Sequence, residues 1–311
     1  MNANQERIAK LQQEMKAEGM DMYLVPTADF HQSEYVGDYF KARAWLSGFT
    51  GSAGTLVVTQ DQACLWTDGR YFIQAAKQLE DTGVSLMKMG EEGVPTVEEF
   101  IRENLPGKGC LGCDGRTISV AEGKEYEKLL AGKEAVLKCD VDLAGKIWTD
   151  RPEMSREPVY VLDVKYAGKT REEKIAKVRE EMKKAGADIH VISSLDDIVW
   201  LLNIRGNDIE YNPVVLSYVI LTMDQVHFYV QEEAVPSEVR KELEEAGVVL
   251  HPYFQVYEDV KKLILPARLW WKTPAPIILF IRASLRERNL FSRQILQLFS
   301  KEIKMLWKWK I

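Results

Sequence analysis

Asp68-Gly69-Arg70-Tyr71 closes an apolar run and opens a helical pattern. An aspartate placed there can accept hydrogen bonds from the free amides of a first helical turn. A glycine allows a turn that a Cβ would hinder. An arginine projecting from such a corner can offer two parallel hydrogen bonds to a carboxylate or a peptide carbonyl. From spacing alone the preferred reading is that Arg70 pairs locally with Asp68 or Glu80. His31 stands in His31-Gln32-Ser33-Glu34, where an imidazole and a carboxylate share a loop. It is a candidate binding residue, with a local hydrogen-bond role as the alternative. Ser47-Gly-Phe-Thr-Gly-Ser-Ala-Gly54 has neither a P-loop lysine nor GxGxxG spacing, so it reads as a tight loop feeding a strand. Cys110-Leu-Gly-Cys113 has CxxC spacing, yet no second pair or neighbouring histidines complete four ligands, and a strand core is the preferred reading. The four histidines, His31, His190, His227 and His251, are scattered and none lies in an HExxH pattern. No catalytic residue and no metal ligand set is expected in this chain.

The elements that must position these residues follow from periodicity. Ile8, Leu11 and Met15 share a helical face, Gly19 stops the helix, and Met22–Pro26 reads as a strand. Eight identities in fourteen positions recur at an offset of 167, from Ile8-Ala-Lys10 against Ile175-Ala-Lys177 to Asp21 against Asp188. Amphipathic helices need not share charged residues, so this repeat points to a duplicated domain. Thr149–Pro158 is polar, carries two prolines and reads as a linker. Domain one takes helices near 70–80, 96–104 and 120–131 and strands at 54–59, 63–67, 84–88 and 110–113. Domain two takes helices near 171–185 and 236–246 and strands at 188–193, 216–223 and 225–230. The link between 54–59 and 63–67 is too short for a parallel crossover, so those strands form an antiparallel hairpin. The expected class is α/β: two duplicated domains, residues 1–150 and 151–262, each a mixed sheet flanked by helices, followed by a basic tail, 263–311. The cluster Arg205, Asn207, Asp208 and Glu210 reads as a turn with local salt bridges.

Composition narrows the class. The chain has 311 residues, 46% apolar and 28% charged, as in ordinary globular domains. Four dispersed cysteines, no apolar leader and no run of membrane-spanning length point to a cytoplasmic protein. From Lys261 to Ile311 twelve Lys/Arg face two Glu, so the remainder carries a net charge of −16. A body this acidic excludes a nucleic-acid partner.

His31–Tyr35, Leu46–Thr55 and Leu65–Leu79 together resemble the first domain of cytosolic three-domain Xaa-Pro aminopeptidases, the aminopeptidase P group of the creatinase/prolidase superfamily. Trp200–Val215 resembles their second domain. The resemblance covers about 5 to about 262 and implies a creatinase N-terminal-type fold for both domains. It implies that Arg70 reaches toward the active site of the parent enzyme and helps hold a peptide with proline at its second position. It implies two manganese ions, held by Asp, His and Glu in a C-terminal domain expected to be absent here. It implies that the two domains shape the substrate entrance and support a homodimer. The chain is therefore expected to be inactive alone. A stand-alone peptide-binding module using Arg70 is the alternative.

The tail admits two accounts. A basic amphipathic segment could lie on an anionic membrane as a scaffold. The other account is a slipped reading frame between about Lys262 and Trp270. Regrouping the codons of Lys304–Ile311 by one base yields (Asn/Asp)-(Ala/Val)-(Leu/Met/Val)-Glu-(Met/Val)-Glu-(Asn/Asp). This is similar to the Asn-Pro-Val-Glu-Leu-Glu-Asn with which the family enters its catalytic domain. The slipped frame is the preferred account, and a membrane partner is not expected.

Overall fold

The computed structural model describes residues 2–263, 269–271 and 291–292. The readings of the tail fall outside these residues, apart from two short strands. The chain divides into two compact units between Ser155 and Arg156.

Unit one runs α1 (Ala3–Ala17), β1 (Met22–Pro26), α2 (Ala42–Ser47), β2 (Thr55–Thr59), β3 (Ala63–Thr67), α3 (Phe72–Gln78), β4 (Val84–Lys88), α4 (Val97–Asn104), β5 (Cys110–Cys113), α5 (Val120–Ala131), β6 (Val136–Lys138) and α6 (Leu143–Ile147). Capping boxes start three of these helices: Asn2 with Gln5, Thr96 with Glu99, and Ser119 with Glu122. In each, side chain and backbone satisfy one another's orphan amides, which fixes where the helix begins. The six strands lie in the order β4-β3-β2-β1-β5-β6. β2 pairs antiparallel with β1 and β3, while β1–β5, β5–β6 and β3–β4 are parallel. All strands except β2 therefore point their carboxyl ends to one edge.

Strand alternation builds the core on both faces of the sheet. Tyr23, Val25, Leu56, Val58 and Leu65 pack with Ile8, Leu11 and Met15 of α1, Leu46 of α2 and Leu143 of α6. Met22, Leu24, Val57, Cys64 and Trp66 pack with Phe100 and Ile101 of α4 and Tyr126 and Leu130 of α5. Cys110 belongs to the first cluster and Cys113 to the second, because residues three apart on a strand face opposite ways. The CxxC pair does not converge; Cys113 Sγ lies 3.0 Å from Cys139 Sγ instead.

Unit two runs β7 (Tyr160–Val161), α7 (Val164–Ala167), α8 (Arg171–Ala185), β8 (Ile189–Ile192), α9 (Leu195–Leu202), β9 (Ile204–Arg205), β10 (Ser217–Thr222), β11 (Val226–Val230), α10 (Ser237–Glu245), β12 (Val248–Pro252), α11 (Val256–Leu263), β13 (Leu269–Trp271) and β14 (Phe291–Ser292). Its large sheet has the order β12-β11-β10-β8-β13-β14. Position by position this matches the first sheet, including the antiparallel third strand, β10 between β8 and β11. β13 takes the place of β5, running parallel to the strand that follows the duplicated helix. The duplication shows again beyond the first helix. Trp45-Leu46-Ser47-Gly48-Phe49 and Trp200-Leu201-Leu202-Asn203-Ile204 both end a helix on a left-handed residue, Gly48 at φ 82° and Asn203 at φ 51°. Asn203 is held in that uncommon conformation by its own side chain, which donates to Lys169 O (2.9 Å) and accepts from Lys174 Nζ (2.5 Å). Arg205 of the polar cluster donates to the backbone carbonyls of Val199 (3.0 Å) and Ile204 (2.7 Å), and Asp208 accepts from the Leu216 amide (2.7 Å).

Candidate functional site

The common carboxyl edge of β1, β3, β4, β5 and β6 gathers most of the polar residues singled out above, and such an edge is where open α/β sheets commonly bind ligands. Arg70 follows β3 in a single 3₁₀ turn, Gly69–Tyr71, that leads into α3. Asp68 caps that turn, accepting from the Arg70 amide at 3.0 Å. The same carboxylate takes the guanidinium side-on, Nε to Oδ1 at 2.9 Å and Nη2 to Oδ2 at 2.8 Å. The guanidinium also lies 5.2 Å from the Tyr71 ring centroid. Tyr71 is fixed in turn by its hydroxyl contact to Ser52 Oγ (2.7 Å) and an edge contact with Phe49. Arg70 thus stands clamped at the rim with 70% of its side chain exposed. Hydrogen bonding from Arg70 holds the Asp68 carboxyl below the usual carboxylate range, and the same pair raises the Arg70 guanidinium. Gly69 is not needed on steric grounds: a Cβ built there meets nothing nearer than Phe72 at 3.9 Å, and its backbone is not left-handed.

His31 follows β1 and is buried, so it offers no open imidazole at this edge. Its amide and that of Ser33 donate to Asp29 Oδ1 at 2.8 and 2.9 Å, which folds the loop back on itself. Arg70 is presented to solvent and His31 is held inside.

The Ser47–Gly54 loop is built around Arg43. Arg43 is buried and donates to Thr27 Oγ1 (2.7 Å), Phe49 O (2.8 Å) and Gly51 O (2.5 Å). Burial pulls its guanidinium down to about 10. A Cβ on Gly51 would collide with the Phe49 ring and come within 2.9 Å of Tyr71, and one on Gly54 within 2.9 Å of Trp66 O. Gly51 serves close packing beneath Tyr71 and Gly54 close packing against β3; the loop braces the Arg70 corner.

A second corner of the same sequence was not foreseen. Asp114-Gly115-Arg116 follows β5 and repeats the carboxylate–guanidinium clasp, Arg116 Nε to Asp114 Oδ1 at 2.9 Å and Nη2 to Oδ2 at 2.8 Å. Here Nη2 also reaches Asp142 Oδ2 at 2.9 Å, and that oxygen takes Arg151 Nη1 at 2.8 Å. Arg116 lies 4.2 Å from the Phe30 ring centroid and Arg151 3.8 Å from that of Tyr39. The signal was available: the tripeptide Asp-Gly-Arg occurs at 68 and again at 114.

A third grouping lies in unit two. His227 and His251, 24 residues apart in sequence, meet at Nδ1···Nε2 3.0 Å across β11 and β12. Burial and the neighbouring His251 draw His227 below the ordinary imidazole range. Among the described residues no three His, Cys, Asp or Glu side chains gather as a metal-binding group, so these residues do not fit the dinuclear centre that the resemblance implies. Among them, too, no helix is long and apolar enough to cross a membrane.

Residues 7–145 match a family model described as Creatinase/Prolidase N-terminal domain, and residues 150–304 match a second model of that description. The second match runs past residue 262, where the sequence reading ends domain two. Aminopeptidase P2 of Arabidopsis thaliana is 41% identical over 248 residues, 79% of this chain and 35% of its own length. A probable Xaa-Pro aminopeptidase P of Talaromyces stipitatus is 42% identical over 266 residues, 85% of this chain and 40% of its own length. The chain thus spans well under half the length of these curated relatives. The crystal structure of an X-prolyl aminopeptidase from Caenorhabditis elegans, described as a cytosolic enzyme with a di-nuclear active site, superposes with a TM-score of 0.87 at 33% identity. That superposition covers 95% of this chain and 51% of the other.

Proposed function

The chain belongs to the creatinase/prolidase N-terminal domain family as two consecutive copies, and we propose that it is the non-catalytic N-terminal portion of a cytoplasmic Xaa-Pro aminopeptidase-like metallopeptidase. In that parent enzyme its domains border the substrate entrance and support pairing of subunits. The metal ions, two manganese, and their ligands belong to a further domain. The observation that carries this reading is the superposition on the X-prolyl aminopeptidase over 95% of the chain at 33% identity. Arg70 is the residue assigned to the peptide. It is exposed at the carboxyl edge, its backbone is fixed by the Asp68 cap, and its charge is independent of pH over the working range.

The test uses the full chain and an Xaa-Pro-Xaa tripeptide. With Mn²⁺ present, the chain alone is expected to release no free amino acid. Isothermal titration is expected to show weak tripeptide binding that Arg70→Ala weakens by about tenfold. Release of the N-terminal residue by the purified chain would refute the non-catalytic reading. Equal affinity in wild type and Arg70→Ala would remove Arg70 from the peptide's path. Binding without any gain of activity when a relative's remaining domain is supplied would favour the stand-alone peptide-binding module.

A further inference from the structure

The two imidazoles that meet across β11 and β12 have a geometry that a metal ion can use. Tyr229 pairs with His251 in the parallel register, which sets His227 and His251 diagonally on one face of the sheet. His227 Nδ1 and His251 Nε2 lie 3.0 Å apart, and the ring planes are tilted by 40°. Tyr229 stacks on His251 with centroids 4.8 Å apart. The Tyr229 hydroxyl donates to Asp259 Oδ2 at 3.3 Å, which places a carboxylate beside the pair without making it a ligand. β12 is the outer strand of its sheet, and both histidines are half-buried rather than sealed. His31 and His190 are buried, so among the four histidines this pair alone is open to an incoming ion.

We propose that His227 and His251 form a two-nitrogen site for a late divalent transition ion, with water filling the remaining positions. Two nitrogens 3.0 Å apart, each about 2.1 Å from a shared ion, subtend close to a right angle at it. That is the angle between neighbouring ligands of a tetragonal or octahedral ion such as Cu²⁺ or Ni²⁺, and narrower than a tetrahedral ion requires. In the metal-free pair one ring donates its N–H to the other. On binding, that donor ring carries its proton on the far nitrogen, so both facing nitrogens present lone pairs and no net proton is lost. Each ring must also turn about χ2 to aim at the ion, a soft torsion for histidine. Both rings sit on paired strands, so the separation of their backbone positions is set by the sheet and not by a loop. The nearby Asp259 carboxylate offsets part of the added positive charge.

The test is Ni²⁺ titration of the full chain, cleared of metal with a chelator and labelled with ¹⁵N-histidine. Substoichiometric Ni²⁺ is expected to broaden the imidazole signals of His227 and His251 and to spare those of His31 and His190. Calorimetry is expected to give one ion per chain, with His227→Gln or His251→Gln weakening binding at least about tenfold and the double variant abolishing that heat. Comparable broadening of all four histidines, or an unchanged isotherm in the double variant, would overturn the proposal. The wild-type spectra decide the question even where a variant folds poorly.

Discussion

Asp68-Gly69-Arg70 and Asp114-Gly115-Arg116 are the same three residues at the same place in the fold, one step past the carboxyl end of a parallel strand. Each arginine clasps its own aspartate side-on. Beyond the clasp the two part ways. Arg116 continues to Asp142, meets the Phe30 ring, and keeps 19% of its side chain exposed. Among the described residues Arg70 meets its aspartate and the Tyr71 ring, and it keeps 70% exposed. A local clasp makes a rigid arm in both cases; the surroundings decide whether that arm holds the molecule together or faces outward. β5 is flanked by β1 and β6, and the segment after β6 brings Asp142 over it. β3 is likewise one strand in from a margin, but the short helix α3 that follows it carries no carboxylate to meet Arg70.

The sharpest way to break this comparison is Arg116→Ala. It removes the clasp, the bond to Asp142 and the contact with Phe30, and leaves the half-buried Asp114 without its cation. A loss of about 2–3 kcal/mol is expected, because stranding a partly buried charge costs more than a surface pair is worth. Chemical denaturation of the variant measures it. Arg70→Ala, by contrast, breaks an exposed pair and is expected to lower the melting temperature far less than Arg116→Ala. Equal losses in the two variants would show that both corners are structural.

Most strands were legible because they announce themselves locally; β6 and β12, at the sheet margins, were not. Thr55–Thr59 and Ala63–Thr67 are short apolar runs bounded by turn residues, and each is paired as the spacing predicted. Long-range partners were not legible. Nothing in the spacing of His227 and His251 reveals that a parallel register brings them together. Nothing near Arg116 in sequence announces Asp142 or Arg151. His31 was a fair loop candidate by residue type, yet its exposure depends on Asp29 folding the loop inward, a tertiary outcome. Arg70 was legible as a helix-start arginine, and the competing reading, a pair with Asp68, describes its resting geometry. The two readings are compatible, since an exposed ion pair is cheap to open.

A smaller effect sharpens the comparison through acid titration. Arg70 lowers the Asp68 carboxyl in the folded chain. A carboxyl lowered on folding contributes stability above its unfolded value, and that contribution is lost as the pH falls through the folded one. In wild type the Asp68 carboxyl signal is expected to titrate below the ordinary aspartate range, and in Arg70→Ala to move back up toward it. NMR of the side-chain carboxyl reads this directly. A midpoint that stays low without Arg70 would mean that the helix-start amides, and not the guanidinium, hold the charge.

The smallest expected change concerns the glycine between the paired residues. Gly69 has open space where a Cβ would sit, with Phe72 at 3.9 Å the nearest atom, and its φ lies outside the left-handed region. Alanine can adopt that conformation, and it narrows the unfolded ensemble, so Gly69→Ala is expected to stabilise unit one by about 0.5 kcal/mol. It also stiffens the backbone that carries Arg70 without touching the clasp to Asp68. If the corner acts as a preformed arm, tripeptide affinity in Gly69→Ala stays at the wild-type level. A variant that is stable and yet binds less would show that Arg70 must swing away from Asp68 through backbone movement at residue 69, and the rigid-arm reading of this corner would fall while the structural role of its twin at Arg116 stood.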